Sequence, residues 1–283
     1  VTSDSPQSRS LLKGEETYFA PAATTRDLLG TLRNFHHAAR LLRERDVSRV
    51  VSTGAAIATA FLPLARLVGA EAHYIESATR VDSPSLTGRI VQRVPGVRVY
   101  SQYQNWADPS WSFRGSVFDP FRSVACAPPS TIKRVVVSIG THPRYGFDRL
   151  LRRLIDILPA TTDVLWQVGP TQMRDQLTNA QSHIDDSTLR RAMTEADVVI
   201  THAGVGSALS AMLAGHRPIC VPRLARYGEH VDDHQSALAA RLSARQLVIS
   251  REAGHLTEAD LMLAAQSRVI SEPAPAPFAL ETY

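Results

Sequence analysis

Val198-Val199-Ile200-Thr201-His202-Ala203-Gly204-Val205-Gly206-Ser207 reads as an apolar strand that runs into a glycine-rich turn and opens a helix. A strand that is apolar without alternation is expected where helices cover both faces of a parallel sheet. The turn exposes unpaired backbone N–H groups at the positive end of the helix, which is where a diphosphate binds. Glycine lets the backbone approach the phosphate closely. The dinucleotide fingerprint fits poorly: Gly204-x-Gly206 lacks a third glycine, and no acidic residue ends the next strand. A glycine turn of this kind can also serve only to pack a helix onto a sheet.

Outward from this stretch the chain alternates regularly. Strands are predicted at Arg134–Ile139, Asp163–Val168, Asp197–Thr201, Pro218–Val221 and Gln246–Ile249, with helices at Phe147–Leu158, Ser187–Glu195, Gly206–Ala214, Val231–Leu242 and Glu258–Ser267. Upstream, Leu28, Leu32, Phe35, Ala39 and Leu42 recur at helical steps and mark one buried stripe. A strand at Arg49–Ser52, a break at Gly54, a helix at Ala56–Val68 and a strand at Ala72–Ile75 form a strand-helix-strand unit of a parallel sheet. Another strand is expected at Val97–Ser101. From Trp106 to Ser130 no period is visible, and the Pro-rich run Ala125–Ser130 sets the expected boundary between domains 1–127 and 128–283. Glu272–Tyr283 reads as a tail.

Length and composition agree with two soluble α/β domains. The 283 residues exceed the size at which one core stops growing, and apolar and charged residues make up 44% and 20%. No window reaches the roughly 18 apolar residues of a membrane span. The net charge of +4 is spread along the chain at helical spacings, which points to solvated faces rather than to a nucleic-acid surface. Cys126 and Cys220 form neither a metal spacing nor a disulfide framework, so a cytoplasmic location is expected. The chain opens at Val1 with neither the basic end nor the apolar run of a secretory signal, and reads as a fragment or part of a longer protein.

A second cluster, Tyr227-Gly228-Glu229-His230-Val231-Asp232-Asp233-His234-Gln235, falls between a strand and the next helix, at the carboxyl edge where open α/β sheets bind ligands. Asp232 or Asp233 equally suits a helix cap. His234 and Gln235 offer donors and acceptors of the kind that read sugar hydroxyls. His230, Asp233 and His234 also form a conceivable zinc set, although the reading adopted is that no metal is required.

Together the two clusters resemble the C-terminal domain of glycosyltransferase family twenty-eight, over residues 133 to 242. The resemblance is closer still to the catalytic subunit of the two-part transferase that adds the second N-acetylglucosamine to dolichol diphosphate. Bacterial exopolysaccharide transferases share the signature found here at Gly228 to Gln235. Val51-Ser52-Thr53-Gly54, Tyr74-Ile75-Glu76-Ser77, Arg80-Val81 and Ser85-Leu86-Thr87-Gly88-Arg89 are similar to the membrane-associated partner subunit, as though both subunits were fused.

The resemblance implies a GT-B fold, with two doubly wound Rossmann-like domains facing across a cleft and the first strand of the N-terminal domain absent. It implies a UDP-sugar donor, no further cofactor, a lipid-linked or small-molecule acceptor, and peripheral contact with the inner face of a membrane. By position, Gly204, Val205, Gly206 and Ser207 would face the donor diphosphate, with His202 and Ala203 also in the donor site and Gly140 and Thr141 closing over the donor. Ile184 would meet uracil through its backbone, Asp233, His234 and Gln235 would face the donor sugar, and Glu229 and His230 would belong to the same donor site. Thr53, Gly54 and Arg80 would lie on the acceptor side. Glu76 and His142 are the candidate general bases. Two departures stand out: Ser210 replaces the family glutamate that binds ribose, and the family's Gly-Gly-His loop would lie upstream of Val1. A UDP-sugar epimerase of the same fold and a non-catalytic nucleotide-sugar-binding subunit are the alternatives.

Overall fold

In the computed structural model, two parallel sheets organise the chain into two units, Val1–Val117 with Pro277–Tyr283, and Phe118–Ala276. Residues 22–27, 107, 128, 142–143, 275, 277 and 282–283 lie outside the described structure, as do the side chains of residues 6, 28, 29 and 31. The first unit ends at Val117, short of the boundary expected after residue 127, and Phe278 and Glu281 of the expected tail pack onto it. Phe278 sets its ring edge-on against Tyr100, and the Glu281 amide donates to the Tyr100 hydroxyl at 3.1 Å.

The first unit begins with a short parallel pair, β1 (Thr2–Ser3) and β2 (Phe19–Ala20), separated by α1 (Pro6–Leu11). Helix α2 (Leu28–Glu44) follows, with Asn34, Ala38 and Leu42 buried. Leu32, expected in that stripe, is 64% exposed. The helix turns Ala38 toward its neighbour, where small residues allow close packing against Ala60 and Phe61.

Next come β3 (Arg49–Ser52), α3 (Ala58–Leu67), β4 (Glu71–Ile75), α4 (Leu86–Val91), β5 (Val97–Ser101) and β6 (Trp111–Phe113). The four strands run parallel in the order β3-β4-β5-β6. Strand β6 lies in the stretch expected to be irregular. It is held by Trp111, whose ring meets Tyr74 edge-on and whose Nε1 donates to Gln92 at 2.6 Å.

The second unit is doubly wound. Its elements are β7 (Phe121–Ala125), β8 (Arg134–Ser138), α5 (Asp148–Ile157), β9 (Asp163–Gln167), β10 (Ala180–Gln181), α6 (Asp186–Glu195), β11 (Val198–His202), α7 (Val205–Leu213), β12 (Ile219–Val221), α8 (His234–Ala244), β13 (Ile249–Ser250), α9 (Glu258–Ala265) and β14 (Ser267–Ser271). Six strands pair in the order β10-β9-β8-β11-β12-β13, all parallel. Val135 and Val137 point to the face packed by Leu150, Leu151 and Leu154 of α5, whereas Val136 and Val199 point to Met193 of α6 and Ala211 of α7. Both faces are dry, which is why these strands lack alternation. The chain winds outward from β8 through β9, then returns to the other side of β8 with β11, so the topological switch point lies between β8 and β11. In open α/β sheets a ligand crevice forms outside the carboxyl ends of the strands at such a point.

Strands β7 and β14 form an antiparallel ribbon, Phe121 opposite Ser271 and Ala125 opposite Ser267. Sequence reading left β7 in a linker and ended a helix at Ser267, because each strand acquires its partner only from the far end of the unit. Beside the ribbon, His216 is buried. Its Nε2 donates to the Met193 carbonyl at 2.7 Å, and Nδ1 faces Arg268 at 3.1 Å. Burial, then the Arg268 charge, push this imidazole down to about 4. Between that value and the ordinary one near 6.5, the unfolded chain binds a proton that the folded protein does not. Stability is expected to fall as pH drops through this window, by up to about 1.4 kcal/mol per pH unit. Urea midpoints of wild type and His216→Gln between pH 7 and 4 check this (about 7 to 4 spans the window); parallel curves for the two proteins would refute it.

Candidate functional site

The switch point is built from three strand ends. After β8, Gly140 turns the chain with φ of 85°, in the left-handed region that glycine tolerates. After β11 comes His202, and Gly204 is the N-cap of α7. A Cβ on Gly140 would meet His202 Cε1 at 3.0 Å, and one on Gly204 would meet His202 Nε2 at 2.4 Å. The imidazole therefore occupies space that only glycine leaves open on both loops. Its enclosure, then the nearby charge of Arg223, push it down to about 3, so it is neutral at physiological pH.

No side chain caps α7. The first amide of this helix to find a carbonyl is that of Ala208, on Gly204 at 3.0 Å, which leaves Val205, Gly206 and Ser207 N–H groups without a backbone acceptor among the described residues. Three orphan donors at the positive end of a nine-residue helix suit an anion. Gly206 is exposed, and a Cβ there would meet nothing within 4 Å.

The cluster after β12 divides into two kinds of residue. Glu229, expected in the donor site, is buried and committed elsewhere: Arg149 of α5 grips it with two bonds of 3.0 Å, and it also accepts from the Leu224 amide. It anchors the loop. Asp233 heads α8 without capping it, and accepts instead from the Ala225 amide at 2.7 Å. His230 and His234 stay together, ring centroids 4.7 Å apart, with Tyr145 stacked on His230. The metal-capable set is His230, Asp232 and His234, with ligand atoms within 4.8 Å of one another; Asp232, not Asp233, belongs to it. Gln235 is buried, and its Oε1 accepts from the Arg223 amide at 3.0 Å.

Ile184 does not offer a free amide: its N–H donates to Gln167 Oε1 at 2.9 Å, and Gln167 is itself tied to Ser138. Thr141 follows Gly140, while His142 lies outside the described residues.

In the first unit, Thr53 and Gly54 line a cavity of about 720 Å³ along β3, together with Ser52, Ala55, Ile57 and Ser77. Arg80 is not among its walls. Glu76 is corrected from candidate base to structural carboxylate. It is 1% exposed and accepts four hydrogen bonds: from Tyr74 hydroxyl and Ser77 amide on one oxygen, from Ser85 amide and hydroxyl on the other. No acceptor site is left for a substrate proton. Arg223 was missed by sequence reading, although a basic residue directly behind the buried run Ile219-Cys220-Val221-Pro222 is a legible signal.

Two parallel α/β units, one with helix-terminal donors at its switch point, are those of the GT-B architecture. Residues 134–259, within the second unit, match the glycosyltransferase family 28 C-terminal domain. Among solved structures, Acinetobacter baumannii MurG is similar with TM-score 0.54 and 20% identity, over 89% of this chain and 77% of that one. The spinosyn forosaminyltransferase SpnP is similar with TM-score 0.53 and 14% identity, over 92% and 79%. The glycotransferase of kitacinnamycin follows with 0.51 and 13%, over 88% and 77%. No curated protein sequence matches the chain. The second unit thus carries a domain of the kind found in glycosyltransferases.

Proposed function

We propose that the chain moves a hexose, N-acetylglucosamine, glucuronic acid or a related sugar, from a UDP-sugar to a hydroxyl of a lipid-linked glycan or small-molecule acceptor, with inversion. The observation that carries this reading is the set of orphan amides at Val205, Gly206 and Ser207, at the switch point of the sheet. There a diphosphate gains fixed donors both as bound substrate and as leaving group. The acceptor oxygen forms its bond to the anomeric carbon while the bond to the diphosphate oxygen breaks, and the acceptor proton passes to a base. With Glu76 occupied, His142 is the base this proposal retains. Epimerisation is less well supported, because it calls for several available carboxylates and Glu229 and Asp233 are engaged within the loop.

The test is UDP release from a panel of UDP-sugars, with and without a lipid-linked acceptor. Acceptor-dependent release with one donor supports the reading; conversion of the donor to an epimer without release overturns it.

The acceptor side of this reading includes peripheral membrane contact. No helix among the described residues is long and apolar enough to cross a membrane. Helix α4 nevertheless exposes Leu86 and Ile90 beside exposed Arg89 and Arg93. Apolar anchors flanked by cations favour an anionic bilayer surface. Recovery on anionic vesicles is expected to exceed that on neutral ones severalfold, and to weaken with salt and in Leu86→Asp/Ile90→Asp. Equal recovery on both would place the acceptor in solution.

A further inference from the structure

Arg223 stands two residues beyond β12 and is among the most deeply buried side chains of the protein, 2% exposed. Its Nη2 donates to the Ile139 carbonyl at the end of β8, at 2.6 Å, and its guanidinium lies over the Phe147 ring with 5.6 Å to the centroid. Its amide is fixed by Gln235. Nε is buried and has no hydrogen-bond partner. Glu229, whose charge reaches Arg223, is already held by both arms of Arg149 and by the Leu224 amide. Among the described residues Arg223 makes no salt bridge, and its neighbour His202 is neutral. A guanidinium cannot shed its proton to escape burial. A buried cation without a counter-ion is costly, and such groups are normally paired.

The charge is not placed at random. It sits at the carboxyl ends of β8 and β12, which flank β11, the strand that leads into the orphan amides of α7. We infer that Arg223 is a donor-binding residue whose missing counter-ion is the diphosphate of the nucleotide sugar, gripped jointly by the guanidinium and the Val205–Ser207 amides. This deepens the proposed function and rests on it for the nature of the anion. As the bond between the anomeric carbon and the diphosphate oxygen breaks, the electron pair stays on that oxygen, and Arg223 opposes the added charge without taking or giving a proton. Gln235 then acts as a positioning residue through its bond to the Arg223 amide.

Calorimetric titration of wild type, Arg223→Met and Arg223→Lys with UDP, uridine and inorganic pyrophosphate tests this. Wild type is expected to bind UDP far more tightly than uridine. Arg223→Met should lose roughly tenfold to a hundredfold in affinity for UDP and pyrophosphate while its affinity for uridine is unchanged. Arg223→Lys, which keeps a point charge but not the planar fork, should fall between. A side chain that merely props the loop would weaken uridine and UDP alike, and that result overturns the inference, as does wild-type UDP affinity in folded Arg223→Met. If Arg223→Met fails to fold, Arg223→Lys decides by the same UDP-to-uridine ratio. Binding of pyrophosphate but not of UDP by wild type, with the Arg223 dependence intact, would sink the uridine nucleotide reading and leave the anion site standing.

Discussion

Gly206→Val is expected to reduce UDP affinity by about a hundredfold or more in a protein that still folds. The fold has room for the change, since a Cβ at Gly206 meets nothing within 4 Å and the residue is exposed. Valine in a helix costs only a few tenths of a kcal/mol relative to alanine and less than glycine does. What the branched side chain fills is the space in front of the Val205, Gly206 and Ser207 amides, where phosphate oxygens must come within about 3 Å. Calorimetry with UDP and a thermal melt together check it; undiminished affinity would remove the diphosphate from this turn. The neighbouring glycine should behave in the opposite way. Gly204→Ala drives a methyl to 2.4 Å from the His202 ring, so its first effect is on packing and stability.

Glu76→Ala is expected to destabilise the first unit by on the order of 3 kcal/mol or more, lowering its Tm by about 10 °C. The carboxylate joins the end of β4 to the start of α4: Ser77 amide and Tyr74 hydroxyl bind one oxygen, Ser85 amide and hydroxyl the other. Removing it takes the acceptor from the Ser77 and Ser85 amides and leaves the Tyr74 and Ser85 hydroxyls only their contact with each other at 3.3 Å. The packing is close enough that a Cβ on Gly88 would lie 2.4 Å from Glu76 Oε2. Glu76→Gln should be nearly as damaging, because an amide nitrogen cannot accept the two Ser85 bonds. Thermal unfolding of both variants checks the role. An unchanged melting temperature in Glu76→Gln would return Glu76 to the status of an available carboxylate.

Much of the second unit was legible from local pattern. The strands near Val135, Val164, Val199 and Ile219 and the helices between them fall within a few residues of their expected bounds. Apolar runs and helical steps are written in residues a few positions apart, so they survive without any knowledge of partners. In the same way, Gly204-Val205-Gly206-Ser207 after an apolar strand already implied a turn with unpaired amides at a helix start. The short elements were not legible. β6 has three residues, and β7 has no partner nearer in the chain than β14.

By itself, then, the sequence determined that two parallel α/β units are present and that a glycine turn opens a helix on the edge of the second. It also determined which polar residues gather after β12. Only the tertiary structure decided which polar groups are already satisfied. Glu76, Glu229 and the Ile184 amide look available in sequence, yet each is satisfied, by Ser85, by Arg149 and by Gln167. Arg223 looks like any basic loop residue, yet it is buried with a donor unpaired. Whether a buried polar group has a partner depends on atoms brought together from distant parts of the chain, and a buried group left without one is the exception that points to a ligand.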